Sequence, residues 1–130
     1  MKHLLSLILF FSVVSSSYGQ DDEKVYISPE VSAQYKGGPK AWTKFLNANL
    51  KYPYEASKSG FSGPVFLSFI VDKKGRVKKP VAIRSPHESL SKEAIRVLKM
   101  SRRWIPGKNE GENVSSRMQI QIVFSLPKRL

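Results

Sequence analysis

The sequence predicts an α+β domain in two layers: a three-stranded antiparallel sheet, ordered second, first, third, with helices packed on one face. Three observations carry this reading. Gly63–Val71, "GPVFLSFIV", is an apolar run with both alternating faces apolar, too short and too rich in β-branched and aromatic residues for a helix, as suits a central strand. Near the C-terminus, "RMQIQIVFSLP" alternates: Met118, Ile120, Ile122, Phe124 and Leu126 face one way, while Arg117, Gln119, Gln121 and Ser125 face the other, as in a half-buried strand. Elsewhere apolar residues recur at helical spacing.

The elements follow in order. Lys2 supplies a positive start, Leu4 to Val14 an apolar core, and Ser17-Tyr18-Gly19 the small residues of a cleavage site, so residues 1–19 are expected to be a signal peptide cut before Gln20. The rival is an uncleaved anchor, but eleven residues at about 1.5 Å each fall well short of a hydrocarbon layer of roughly 30 Å. No stable membrane span is expected after cleavage. The chain holds no cysteine, which excludes a lipid anchor at that site, disulfides and thiolate chemistry.

Residues 20–36 form a short, acid-led tether with Val25, Tyr26 and Ile27 as its apolar cluster, able to lay one extended segment on the domain assigned to residues 37–127. Gly37-Gly38-Pro39 opens a helix in which Trp42, Phe45, Leu46 and Leu50 share a stripe. Tyr52-Pro53 breaks it, and Pro53 starts a second, short helix that Gly60 ends. After the central strand, Asp72-Lys73-Lys74-Gly75 turns the chain into "RVKKPVAIR", an edge strand marked by Pro80 and its lysines. The next helix carries Leu90, Ala94, Val97 and Leu98 on one stripe and runs to Trp104, which folds its ring onto the core. Ile105, Pro106 and Gly107 then turn the chain out, Lys108 to Asn113 is a polar loop, and the last strand follows. Trp104, Pro106 and Gly107 are read as structural. Between Met118 and Leu126 the last strand has no proline, lysine or glycine, so its outer N–H and C=O groups are open to pairing.

Charge and chemistry narrow the function. From Val31 to Leu130 there are 20 Lys plus Arg against 6 Asp plus Glu, an excess of +14 that favours anionic partners in general. Beyond the expected signal peptide the only histidine is His87, in a loop after Ser85-Pro86, where an ordinary surface role outweighs catalysis. The only bases a nucleophile could use are this histidine and a few scattered carboxylates, Asp72 and Glu88 show no pairing, and no metal-ligand cluster or cofactor motif is present. Gly37-Gly38 lacks the preceding strand and lysine of a phosphate loop. Nucleic acid is a weighed alternative, since Phe66, Phe69, Trp42 and Trp104 are able to stack; the sheet aromatics belong to the core, however, the lysines are scattered, and an exported protein is kept from genomic substrates. The reading is therefore no enzyme, no cofactor and no nucleic acid.

The order of motifs resembles the TonB C-terminal domain: Lys51-Tyr52-Pro53 before a short helix, Gly63-Pro64-Val65 opening "FLSFIVDKKGRV", and Arg102-Arg103-Trp104-Ile105-Pro106-Gly107 before an alternating strand. The likeness covers about Val31 to Leu126, and the Gly37-Gly38 helix start resembles the form found in Bacteroidota. It implies a periplasmic binding module in which the TonB box of an outer-membrane TonB-dependent transporter adds as a strand to the last strand, here Arg117, Met118, Gln119, Ile120, Gln121, Ile122, Val123 and Phe124. The family's second contact region carries onto Asn49, Leu50, Lys51 and Tyr52. A full transducer also has a membrane anchor contacting ExbB and ExbD and a long proline-rich span; a cleaved signal leaves about ten to fifteen residues here, at about 3.5 Å each too short to cross a periplasm, so a stand-alone domain is expected. The alternative is a self-associating envelope adaptor, a homodimer pairing these same edges.

Overall fold

The computed structural model describes residues 24–127. The expected signal peptide, residues 1–19, lies outside the described residues. The elements are β1 (Val25–Tyr26), β2 (Gln34–Tyr35), α1 (Gly38–Asn49), α2 (Tyr54–Ser59), β3 (Gly63–Val71), β4 (Val77–Arg84), α3 (Glu88–Met100), β5 (Trp104–Ile105), β6 (Gly107–Asn109) and β7 (Glu112–Phe124).

β3 is central, as its two apolar faces predict. It pairs antiparallel with β4 on one side and, from Gly63↔Phe124 to Val71↔Ser116, with β7 on the other. The expected three-stranded, wholly antiparallel sheet is corrected in two ways. The sheet has five strands, because β1 and β6 also pair with β7, and it is mixed, because β1 joins β7 in parallel through Val25↔Ser115 and Tyr26↔Ser116. A two-residue strand shows no alternation, so periodicity has nothing to detect. The segment preceding α1 also bridges Val31 to Lys108 and pairs β2 with β5, Tyr35 opposite Trp104.

The C-terminal third departs further from expectation. α3 stops at Met100, four residues before Trp104, because Ser101 turns extended while its N–H and hydroxyl close on the last carbonyls, the N–H on Val97 and Leu98 and Oγ on Leu98. Trp104 thus begins a strand. The expected loop Lys108 to Asn113 is a hairpin, with Asn109 opposite Glu112 and both Glu110 (φ 52°) and Gly111 (φ 78°) left-handed, the signature of a two-residue primed turn. Glutamate takes the place where asparagine or aspartate would advertise that turn. β7 consequently starts at Glu112, five residues before the predicted alternation, and ends at Phe124, short of Leu126.

One core fills the space between sheet and helices. Val65, Leu67, Phe69 and Val71 of β3 meet Leu90, Ala94 and Leu98 of α3 and Ile122 and Phe124 of β7, all buried. Burying side chains of this size contributes about 1.5–3 kcal/mol each before the entropy of ordering them is counted. The Trp104 ring lies 5.2 Å from Phe69, 5.4 Å from Trp42 and 5.6 Å from Tyr35, and its indole N–H donates to Ser101 Oγ at 2.9 Å. This aromatic cluster fixes α1 and β2 to the sheet. His87 acts locally. Its Nδ1 accepts from the Ser89 N–H at 3.1 Å, capping α3, while its ring stacks on Phe61 at 4.6 Å.

Candidate binding edge

The sheet's two outer edges differ in chemistry. On β4, Lys79 sits at a left-handed φ of 50°, the pairing slips register between Ser68 and Ile70, and Pro80 brings no N–H. β7 is different along its length. Glu112–Val114 pairs with β6 and Ser115–Ser116 with β1, whereas from Arg117 to Phe124 the side away from β3 meets no strand among the described residues. The bare stretch therefore begins where β1 departs.

Side chains along that stretch fall into two sets. Ile122 and Phe124 are buried, and Met118 and Ile120 pack partly buried against the core, so these four offer a partner only their backbone. Arg117, Gln119, Gln121 and Val123 lie on the other face of the sheet. That face also exposes Phe66, Val81 and Ile83, and a shallow cavity of about 270 Å³ there is lined by Phe66, Ile83, Gln119 and Gln121 among others. Arg117 is tied across the sheet, its Nη1 donating to Ser68 Oγ at 3.0 Å. An added strand would thus find main-chain groups along its length and an apolar, amide-rimmed surface under every second side chain.

The second predicted region, Asn49 to Tyr52, is brought to the end of this strand. The Tyr52 ring packs edge-on against Phe124 at 5.6 Å, and its hydroxyl donates to the Phe61 carbonyl. Burial raises the Tyr52 phenol above its ordinary value, so it stays protonated and a donor. The joint itself is clamped by α3. The Lys51 N–H donates to Glu93 Oε2 at 2.7 Å, Arg96 Nη2 donates to the Asn49 carbonyl at 2.9 Å, and Arg96 Nε meets Glu93 Oε1 at 2.6 Å. Burial pushes the Glu93 carboxyl up, but the hydrogen bonds from Arg96 and Lys51 outweigh it and hold the group below its ordinary range. Asn49, Leu50 and Lys51 are therefore a rigid corner, with Lys51 reaching into solvent. Sequence reading misses the Glu93–Arg96 clamp; an acid and a base three apart on a helix read as an ordinary surface pair, and nothing local shows that their target is another helix's end.

Trp104, Pro106 and Gly107 lie away from the bare stretch, at the base of β7. Gly107 is buried so closely that a Cβ would stand 3.0 Å from Ser116 Oγ and 3.1 Å from the Val31 carbonyl oxygen.

Comparison with known proteins agrees with this architecture. The family model described as Gram-negative bacterial TonB protein C-terminal matches residues 48–126. Among solved structures, the chain is similar to the NMR solution structure of the Helicobacter pylori TonB C-terminal domain (residues 194–285), with 23% identity and a TM-score of 0.52 over 69% of this chain and 95% of that one. A longer form of that domain (residues 179–285) matches at 23% identity and TM-score 0.52, over 67% and 78% of the two chains. The Pseudomonas aeruginosa TonB C-terminal domain is similar at 22% identity and TM-score 0.49, over 62% and 81%. No curated protein matches the chain in sequence. The Gly37-Gly38 start that resembles the Bacteroidota form lies outside the matched residues.

Proposed function

We propose that this chain, which belongs to the family of Gram-negative bacterial TonB protein C-terminal domains, works in the periplasm by taking up the TonB-box segment of an outer-membrane TonB-dependent transporter as a strand beside Arg117–Phe124. Domains of the family are non-enzymatic interaction modules. The single observation behind the reading is the edge of β7, which for eight residues beyond β1 meets no strand on the side away from β3 among the described residues.

An antiparallel or parallel strand laid there gains about eight main-chain hydrogen bonds worth about 1 kcal/mol each net, less roughly 2–5 kcal/mol for ordering the peptide, which leaves about 3–6 kcal/mol and places affinity between tens of micromolar and a few millimolar. Register is limited at one end, because β1 already occupies Ser115 and Ser116. At the other end Tyr52 and Phe124 form a wall, with Lys51 beside it to meet an acidic surface. Selectivity rests on Gln119, Gln121 and Val123, whose side chains face outward.

The test is titration with TonB-box peptides from transporters of the same genome, followed by amide NMR. Shifts are expected along Arg117–Phe124; shifts confined to β4 would overturn the reading. Sedimentation over a range of concentrations decides the other use of the same edge, since a stable dimer paired through β7 would leave no free strand for a peptide.

A further inference from the structure

We propose that the concave surface between the β3–β4 turn and the exit of α3 is an oxyanion site for a phosphate ester or polyphosphate group. It is separate from the β7 edge and does not rest on the peptide-binding reading. A cavity of about 460 Å³ is lined there by Lys74, Gly75, Arg76, Lys99, Arg102, Arg103 and their neighbours, with no carboxylate among the lining residues.

The juxtaposition is built by backbone. Gly75 has a φ of 80°, and a Cβ on it would stand 2.2 Å from the Trp104 carbonyl oxygen, so the turn seats directly on the chain leaving α3. Lys74 and Arg76, flanking that glycine, are thereby brought to Lys99, Arg102 and Arg103. Asp72, behind the turn, is already engaged: Arg76 Nε lies 2.8 Å and Lys78 Nζ 3.4 Å from its Oδ2. Arg76 is therefore largely neutralised, while Lys74, Lys99, Arg102 and Arg103 have no ion pair among the described residues.

Part of this charge complements the C-terminal end of α3, where cations are favourable. That end carries only about half a negative charge, and Ser101 already caps Val97 and Leu98. Several positive charges remain facing one hollow. A monocarboxylate would leave most of them unbalanced, whereas a phosphate monoester or diphosphate carries about two or more negative charges and oxygens matched to paired guanidinium forks. An added acidic strand is disfavoured, because β5 beside the hollow is already paired with β2.

The test is titration of the protein with inorganic pyrophosphate, followed through the Trp104 indole N–H resonance, with parallel arms using phosphatidic acid vesicles, phosphatidylcholine vesicles and polyglutamate. Saturable shifts of Trp104 and of the Lys74–Arg76 amides are expected. Combined Lys99→Gln, Arg102→Gln and Arg103→Gln substitution should weaken binding about tenfold or more, while Lys40→Gln, Lys44→Gln and Lys58→Gln, an equal loss of charge elsewhere, should leave it within about twofold. All six side chains are exposed, so folding is retained. Binding by phosphatidic acid vesicles as well as pyrophosphate identifies a lipid phosphomonoester as a source of the ligand; pyrophosphate alone identifies a soluble one. Absence of saturation, equal losses in the two triple variants, or polyglutamate binding as tightly as pyrophosphate would each overturn the proposal.

Discussion

The two edges of the sheet solve the same problem in opposite ways. β4 is guarded by its own residues: Lys78 and Lys79 repel, Pro80 withholds an N–H, and the left-handed Lys79 bends the strand. β7 has no such residues from Arg117 to Phe124; its first half is covered instead by β1 and β6, and its second half meets no strand on that side among the described residues. Pairing by a further strand is thus disfavoured at β4, whereas the β7 backbone from Arg117 to Phe124 carries none of these guards.

The largest way to break the contrast is to remove what seats β7. Trp104 is nearly buried between Phe69, Trp42 and Tyr35 and lies at the base from which β6 and β7 extend. Trp104→Ala should cost about 3–5 kcal/mol, enough to unfold a domain of this size or bring it close to unfolding. Thermal denaturation checks it. A variant that keeps the wild-type melting temperature would show that the open edge is held by other contacts.

The contrast also marks what the sequence makes legible. Guarding is local, so Pro80 and the lysines predict the β4 edge directly, and the alternation from Arg117 to Phe124 predicts which side chains face out. Cover is tertiary. Val25 and Tyr26 become a parallel strand because Ser115 and Ser116 lie opposite them, and no pattern near residue 25 says so. Trp104 is readable as a core residue from its place behind an amphipathic stripe, but not as a strand residue, because the cap that ends α3 early is a serine hydroxyl closing on Leu98 rather than a glycine or proline. Asn49 and Lys51 are placed by the family likeness alone; their anchoring by Glu93 and Arg96 is a helix-to-helix contact across more than forty residues.

A smaller effect sharpens the guarded side. Asp72 is buried at the base of the β3–β4 turn, and its Oδ1 accepts from the N–H groups of Lys74 and Arg76, both at 2.9 Å. Burial alone would raise its carboxyl, but hydrogen bonds from the Arg76 backbone, the Arg76 side chain and the Lys74 backbone outweigh it and hold the group below its ordinary value of 3.8. A depressed carboxylate contributes stability that is present above the unfolded value and lost as pH falls through the folded one. Acid denaturation should therefore steepen below about pH 4. Asp72→Asn should cost about 1–3 kcal/mol at neutral pH and flatten that slope, measured by urea unfolding at several pH values. An unchanged slope would assign the acid sensitivity elsewhere, with Glu93 the next group to test.

Removing the guard itself should change association more than stability. Pro80→Val with Lys78→Thr restores a donor and removes a charge whose pairing with Asp72 is long, at 3.4 Å, and half exposed. The double variant should stay folded, within about 1 kcal/mol of the parent, and show an average mass that rises with concentration in sedimentation. Strict monomer behaviour would show that the bulge at Lys79, rather than the residues beside it, protects this edge.

The smallest effect concerns the covered half of β7. Ser115 and Ser116 are buried, and the hydroxyl oxygens of both have no hydrogen-bond partner among the described residues. Serine here is small enough to let β1 and Gly107 approach, yet its Oγ is a polar atom left unpaired, which costs about 1–3 kcal/mol in mutational terms. Ser116→Ala keeps the small volume and removes that atom. Set against the slight dispersion attraction that a single oxygen supplies, a net gain of up to about 1 kcal/mol is expected, or a melting temperature higher by several degrees. Peptide affinity should not move, because the open stretch begins one residue later, at Arg117. A destabilised Ser116→Ala would mean that the hydroxyl is satisfied in solution, and the covered half of the strand would then be a polar junction tuned to hold β1, rather than a close contact that merely tolerates a serine.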